Sequence, residues 1–174
     1  MNKARVRAAV LASVLVLLVM GYLTWAVSKS EQVVEIGQTV PNITLPSVAG
    51  TTVSLNFYRG KPVILDFFTT WCGPCQTEAP SLEKVAQQYK GKLQVMMIDR
   101  GETPYLVNQF INQYHLTNPA VLIDKDDHWA ARMGVTGQPE TFLINAKGVV
   151  QAHVNYEMNL SQLQAMALSA TQTG

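Results

Sequence analysis

Residues 62–89, PVILDFFTTWCGPCQTEAPSLEKVAQQY, constrain the fold of this chain more than any other stretch. The opening run, PVILDFF (62–68), is apolar except for Asp66, the pattern of a strand buried on both faces. Beyond it, Ala79, Leu82, Val85, Ala86 and Tyr89 recur at helical spacing, which predicts a helix from Cys72 to about Tyr89 with a bend at Pro80. A strand buried on both faces needs layers above and below it, so the expected class is α/β. The join between strand and helix holds the only two cysteines of the chain, Cys72 and Cys75.

The rest of the sequence continues the alternation. LQVMMID (93–99) reads as a second buried strand. A helix over 103–114 follows, with Leu106, Val107, Phe110, Ile111 and Tyr114 on one side. AVLID is a short strand, DDHWAARMG a short helix ending at Gly134, and TFLIN another strand. Ala146-Lys147-Gly148 turns the chain into VVQAHVN, and a last helix starts at Asn159, which with Gln162 makes a capping box. Upstream, VPNITLPSVAGTTVSLNFYRGK (40–61) has short β-rich pieces broken by Pro, Gly and Asn, as in a hairpin that leads into a sheet. No internal repeat is present, and 174 residues suffice to bury a core without disulfide staples.

Residues 8–27 carry no charge over twenty positions, a helical length of about 30 Å, which matches the hydrocarbon core of a bilayer. Lys3, Arg5 and Arg7 precede this run, and Tyr22 and Trp25 lie near its far end. Basic residues stay on the cytoplasmic side and aromatic ones favour the interface, so the expectation is one transmembrane helix with everything after it outside the cytoplasm. A cleaved secretory signal ending at Ala26-Val27-Ser28 is the competing reading, although the run exceeds a signal core of about 7–15 residues. The expected organisation is therefore a basic tail and anchor at 1–28, a linker at 29–39 and a folded domain at 40–174. Of the 13 basic residues, three belong to the tail, which leaves ten against 12 acidic ones in the remainder. That balance gives no footprint for nucleic acid.

Side chains three apart on a helix share a face, so Cys72 and Cys75 can meet at disulfide geometry. The helix N-terminus offers unpaired N–H groups and a partial positive charge, both of which favour the nucleophilic thiolate. Gly73 permits close approach of another chain, and Pro74 suits a first turn that does not need its N–H. Cys72 is then the attacking sulfur and Cys75 the resolving one. Two other readings stay open. Buried free cysteines occur as core filling. A zinc site needs four ligands, and His115, His128 and His153 show no ligand-like pairing with the cysteines, so no metal is assigned.

VILDFFTTWCGPCQTEAPSLEKV resembles the active-site segment of the thioredoxin superfamily. With the apolar run and the lead-in G…P…L…G…L…GK, the chain is similar to membrane-anchored thiol-disulfide oxidoreductases of the ResA/TlpA type over about Ile36 to Leu168. The resemblance implies a thioredoxin fold with an N-terminal β-extension and no cofactor. It makes GVTGQPETFLIN the cis-proline loop, with Pro139 cis and the main chain of Gln138 open to an incoming peptide. It places Asp66, six residues before Cys72, where thioredoxins carry a buried acid that takes the proton of Cys75, whereas ResA-type chains more often have Asn there. Glu102, in DRGETP, matches an acid near their active site; it either relays protons or stands in the first turn of the next helix. Trp71 is expected to pack against the disulfide, and Gln138 and Glu140 depart from the usual residues of the loop.

The function implied is reduction of disulfides in exported proteins, with apocytochrome c or other extracytoplasmic thiol proteins as clients and a membrane electron donor as partner. Alternatives are a disulfide oxidase, a thiol peroxidase and a copper or zinc carrier. For the peroxidase, Thr69 and Cys72 fit the pattern Pro-x-x-x-Thr-x-x-Cys but Leu65 stands at the proline position.

Overall fold

The computed structural model describes residues 3–28 and 33–172, in two compact units divided between Gln32 and Val33. In the first, helix α1 (Lys3–Ser28) runs for 26 residues. Its described apolar side chains, from Val10 to Trp25, are exposed. Among the described residues no helix is long and apolar enough to cross a membrane. The uncharged run of the sequence extends past them, since the side chains of 8, 9, 26 and 27 fall outside the description. So do the side chains of the cleavage motif 26–28 and the first linker residues, 29–32.

The second unit is a five-stranded sheet in the order β5-β4-β3-β6-β7. Its strands are β3 (Val63–Phe68), β4 (Gln94–Asp99), β5 (Ala120–Ile123), β6 (Glu140–Ile144) and β7 (Val150–Val154). β3, β4 and β5 run parallel, and β6 and β7 are added antiparallel, giving a mixed sheet. Alternation along β3 decides which layer each side chain enters. Ile64 and Phe68 pack with helices α2 (Gly73–Gln88), α3 (Pro104–Gln113) and α5 (Leu160–Gln172). Val63, Leu65 and Phe67 face the opposite layer. That layer is made by Val40, Ile43, Leu45 and Leu55 of the N-terminal extension and by Ala130 of the short helix α4 (His128–Arg132). Asp66, between Ile64 and Phe68 in this alternation, points to the layer that contains α2 and both cysteines.

The extension contains the antiparallel pair β1 (Thr44–Pro46) and β2 (Thr52–Ser54), a separate two-stranded sheet. Single bridges tie its surroundings to both margins of the main sheet, Ser47 to Leu122 and Thr39 to Val149. Residues 33–39, expected as linker, belong to the folded unit. Val34 is buried, its N–H donates to the Arg132 carbonyl at 3.1 Å, and Gly37 N–H donates to Val150 at 2.8 Å. α2 remains one helix through Pro80, which stands on its exposed side.

Candidate active site

Cys72 caps α2. Its Sγ accepts the Cys75 N–H at 3.1 Å and is joined to Cys75 in a disulfide, with Cα atoms 5.2 Å apart. Burial of strand β3 and the helical period of α2 thus bring a sulfur to the positive end of a helix, where a backbone donor is already aimed at it. Both cysteines are buried in this oxidised form, flanked by exposed Gly73, Pro74 and Trp71. Trp71, expected to pack against the disulfide, is 69% exposed at the rim.

The Gln138–Pro139 bond is cis, and the Gln138 carbonyl oxygen lies 3.6 Å from Cys72 Sγ. Glu140 fastens this loop from below. Its Oε1 accepts Thr136 N–H at 2.7 Å, Gly137 N–H at 2.8 Å and the Thr136 hydroxyl at 3.0 Å, while Oε2 meets His153 Nε2 at 2.7 Å. Burial alone would raise the Glu140 pKa, but His153 and the loop donors outweigh it and hold the carboxyl below its ordinary range. The expected site residues Cys72, Cys75, Gly73, Pro74, Gln138 and Pro139 therefore meet at one end of the sheet.

Asp66 lies on the α2 side of β3, fully buried, with one hydrogen bond from the Thr141 hydroxyl at 3.2 Å. Burial raises its pKa to about 7. The sequence reading missed its partner, Glu78, one turn after Cys75 on α2. Glu78 is buried, accepts Met158 N–H at 3.2 Å through Oε1, and has no hydrogen bond at Oε2. Burial and then repulsion from Asp66 raise its pKa to about 8. An acid three residues after Cys75 on the apolar side of a helix is a signal that spacing alone could have supplied.

Glu102 is not in the first turn of α3, which starts at Pro104 with Thr103 as its cap. Its carboxylate accepts the Thr70 N–H at 2.5 Å and the Thr70 hydroxyl at 2.6 Å, so it braces the loop just before Cys72. Gln76 Nε2 donates to the Thr70 carbonyl at 2.8 Å from the other side. Asp99, at the end of β4, accepts Glu102 N–H at 2.7 Å; burial and neighbouring Glu102 raise its pKa to about 8. Among the described residues no three His, Cys, Asp or Glu side chains are grouped to hold a metal ion.

The AhpC/TSA family profile matches residues 36–153. The chain belongs to this family. It is 35% identical over 148 residues to the thioredoxin-like protein YneN of Bacillus subtilis (strain 168), covering 81% of this chain and 86% of that one. It is 34% identical over 145 residues to the thiol-disulfide oxidoreductase ResA of Bacillus thuringiensis subsp. konkukian (strain 97-27), with 83% and 80% covered. Among solved structures, a secreted Mycobacterium tuberculosis disulfide oxidoreductase homologous to E. coli DsbE superposes with a TM-score of 0.67 at 28% identity, covering 73% of this chain and 95% of its own. The thioredoxin-like α/β architecture is thus common to this chain and that structure.

Proposed function

We propose that this protein reduces disulfides in exported proteins while tethered to the membrane by residues 8–27. It is a thiol-disulfide oxidoreductase of the ResA/DsbE type, and the observation that carries the chemistry is the placement of Cys72. Its sulfur caps α2, receives the Cys75 N–H at 3.1 Å, and lies beside the Gln138 carbonyl. In the reduced protein the Cys72 thiolate attacks one sulfur of the client disulfide. A Cys72–client bond forms as the client bond breaks, and the departing client thiolate takes a proton from solvent. Cys75 then passes its proton to the Asp66–Glu78 pair and attacks Cys72 Sγ. The Cys72–Cys75 bond forms, the second client thiolate leaves, and two electrons have moved from the dithiol to the client.

The reductive direction is supported by the Gly-Pro pair between the cysteines, shared with thioredoxin. Apocytochrome c and other extracytoplasmic thiol proteins are the client class, and a membrane dithiol donor recharges Cys72–Cys75. Membrane attachment with the N-terminus in the cytoplasm is supported by the uncharged run, the Lys3, Arg5 and Arg7 cluster before it, and the exposed apolar side chains of α1.

Three measurements test this reading. The reduction potential of the purified protein should lie well below the roughly −120 mV of a strong oxidant such as DsbA; a value near that would reverse the direction. A Cys75→Ser variant in cells should accumulate client adducts on Cys72, and peroxide turnover by the same variant with no adducts would favour a peroxidase instead. Full-length protein should stay with the membrane after alkaline carbonate extraction, and its release would remove the anchor from the account.

A further inference from the structure

Arg100 follows the last residue of β4, and its backbone N–H donates to the Phe68 carbonyl at 3.1 Å, next to the active-site loop. Its guanidinium is shared between two partners. Nε and one terminal nitrogen grip Asp127 Oδ1 and Oδ2 at 2.8 and 2.6 Å. The other terminal nitrogen donates to Gln138 Oε1 at 3.0 Å and to the Gly137 carbonyl at 3.3 Å. The far side of the Gln138 amide, Nε2, lies 3.4 Å from the Thr69 hydroxyl oxygen. The Gln138 side chain is therefore held at both ends, by Arg100 from β4 and by Thr69 from the end of β3. Its main-chain carbonyl is left beside Cys72 Sγ.

Only a planar fork with several donors can grip a carboxylate with two nitrogens and still reach two acceptors on a different loop; a lysine ammonium cannot. Asp127 is itself fixed in the left-handed region, φ 53°, at the head of α4. The Arg100 side chain is only 18% exposed, so its charge serves these contacts rather than solvent.

We infer that Arg100 is a positioning residue for clients: by fixing Gln138 it presents the loop main chain to an extended peptide beside Cys72, and so favours peptide disulfides over small ones. The inference rests on the disulfide-exchange reading above. A small disulfide needs only the sulfur of Cys72. A peptide also needs the loop's backbone groups in register, and that register is what Arg100 supplies.

The test compares full-length reduced protein oxidised by a disulfide-bridged peptide and by a small aromatic disulfide. In Arg100→Met, loss of hydrogen bonds to a charged group should slow the peptide reaction about tenfold, mainly through a higher saturation constant. The small disulfide should react within about twofold of wild type, because the Cys72 environment keeps its helix terminus and Cys75 donor. Asp127→Asn, which weakens the grip but keeps the shape, should show the same selectivity to a smaller degree. Equal losses with both substrates in a folded variant, or no loss with the peptide, would overturn the inference. Should Arg100→Met fail to fold, Asp127→Asn decides alone, and an unselective effect there overturns it equally. Wild-type protein that exchanges with neither disulfide would instead bring down the underlying reading of the function.

Discussion

Two carboxyl groups, Asp66 and Glu78, are buried on the cysteine side of the sheet, each with one hydrogen bond among the described residues. Cys75 is on the same layer and must lose a proton before it can attack. Carboxyls whose pKa values lie at about 7 and about 8 are suited to take that proton near neutrality. Replacing Glu78 with Gln, or Asp66 with Asn, should lengthen the life of the Cys72–client adduct about a hundredfold in rapid-quench experiments at pH 7; an unchanged lifetime would remove both acids from the step. The same pair sets a slope in stability. Both pKa values are raised above the ordinary 3.8 and 4.5, so the folded state binds more protons than the unfolded one between about pH 4 and 8. Stability should fall as pH rises through that window, and Glu78→Gln should flatten the dependence of the denaturant midpoint on pH. Asp66 could be read from the sequence because it interrupts an apolar strand. Glu78 could have been read as well, three residues after Cys75 and four before Leu82 on the helix face that the apolar period already marks. Arg100 left no local signal at all, since its partners come from positions 127, 137 and 138.

Among the elements, those with a strong period were legible: β3, α2, β4 and α3 fall within one or two residues of their expected bounds. The last helix was legible from its cap. Asn159 Oδ1 accepts the Gln162 N–H at 3.1 Å, and Gln162 Oε1 accepts the Asn159 N–H at 2.9 Å. Asn159→Ala should lower stability by about 1 kcal/mol in denaturant unfolding, since the Gln162 N–H and the Ser161 hydroxyl lose the side-chain oxygen that accepts from them. Loops were harder, because their order depends on groups distant in sequence. Glu140 illustrates this, since the sequence placed it just before the strand. It is the first residue of β6, opposite Phe67, and its carboxylate gathers the N–H groups of Thr136 and Gly137. Glu140→Ala should cost about 3 kcal/mol, because the part-buried loop donors of Thr136 and Gly137, together with His153, would lose a charged acceptor. A loss below that of the Asn159 variant would show that the loop is held by other contacts. Because the Glu140 pKa is lowered, its contribution is present above the ordinary carboxylate range and fades as pH drops through its folded value.

At the scale of the whole molecule, the redox centre sits where β3 ends and β4 turns toward α3, and the cis-proline loop arrives from the antiparallel half of the sheet. Patterning showed that two layers must cover the strands, but not that residues 33–39 belong to the cover, because that short stretch has no period. A protein beginning at Val33 should therefore fold and keep its disulfide chemistry. One beginning at Val40 should be less stable by about 2 kcal/mol, having lost a buried valine and the backbone bonds of Gly37 and Gln38 to Val150. Equal unfolding midpoints for the two would return that stretch to the linker. The same stretch has a second consequence. With Gly37 and Gln38 bonded to Val150 at the start of β7, Val40 bonded to Gly148 just before it, and Ser47 bridged to Leu122 of β5, each outer strand is partly covered by the extension. The edges left open are short, within strands of four and five residues, so this fold offers little length on which a ladder of strands could grow.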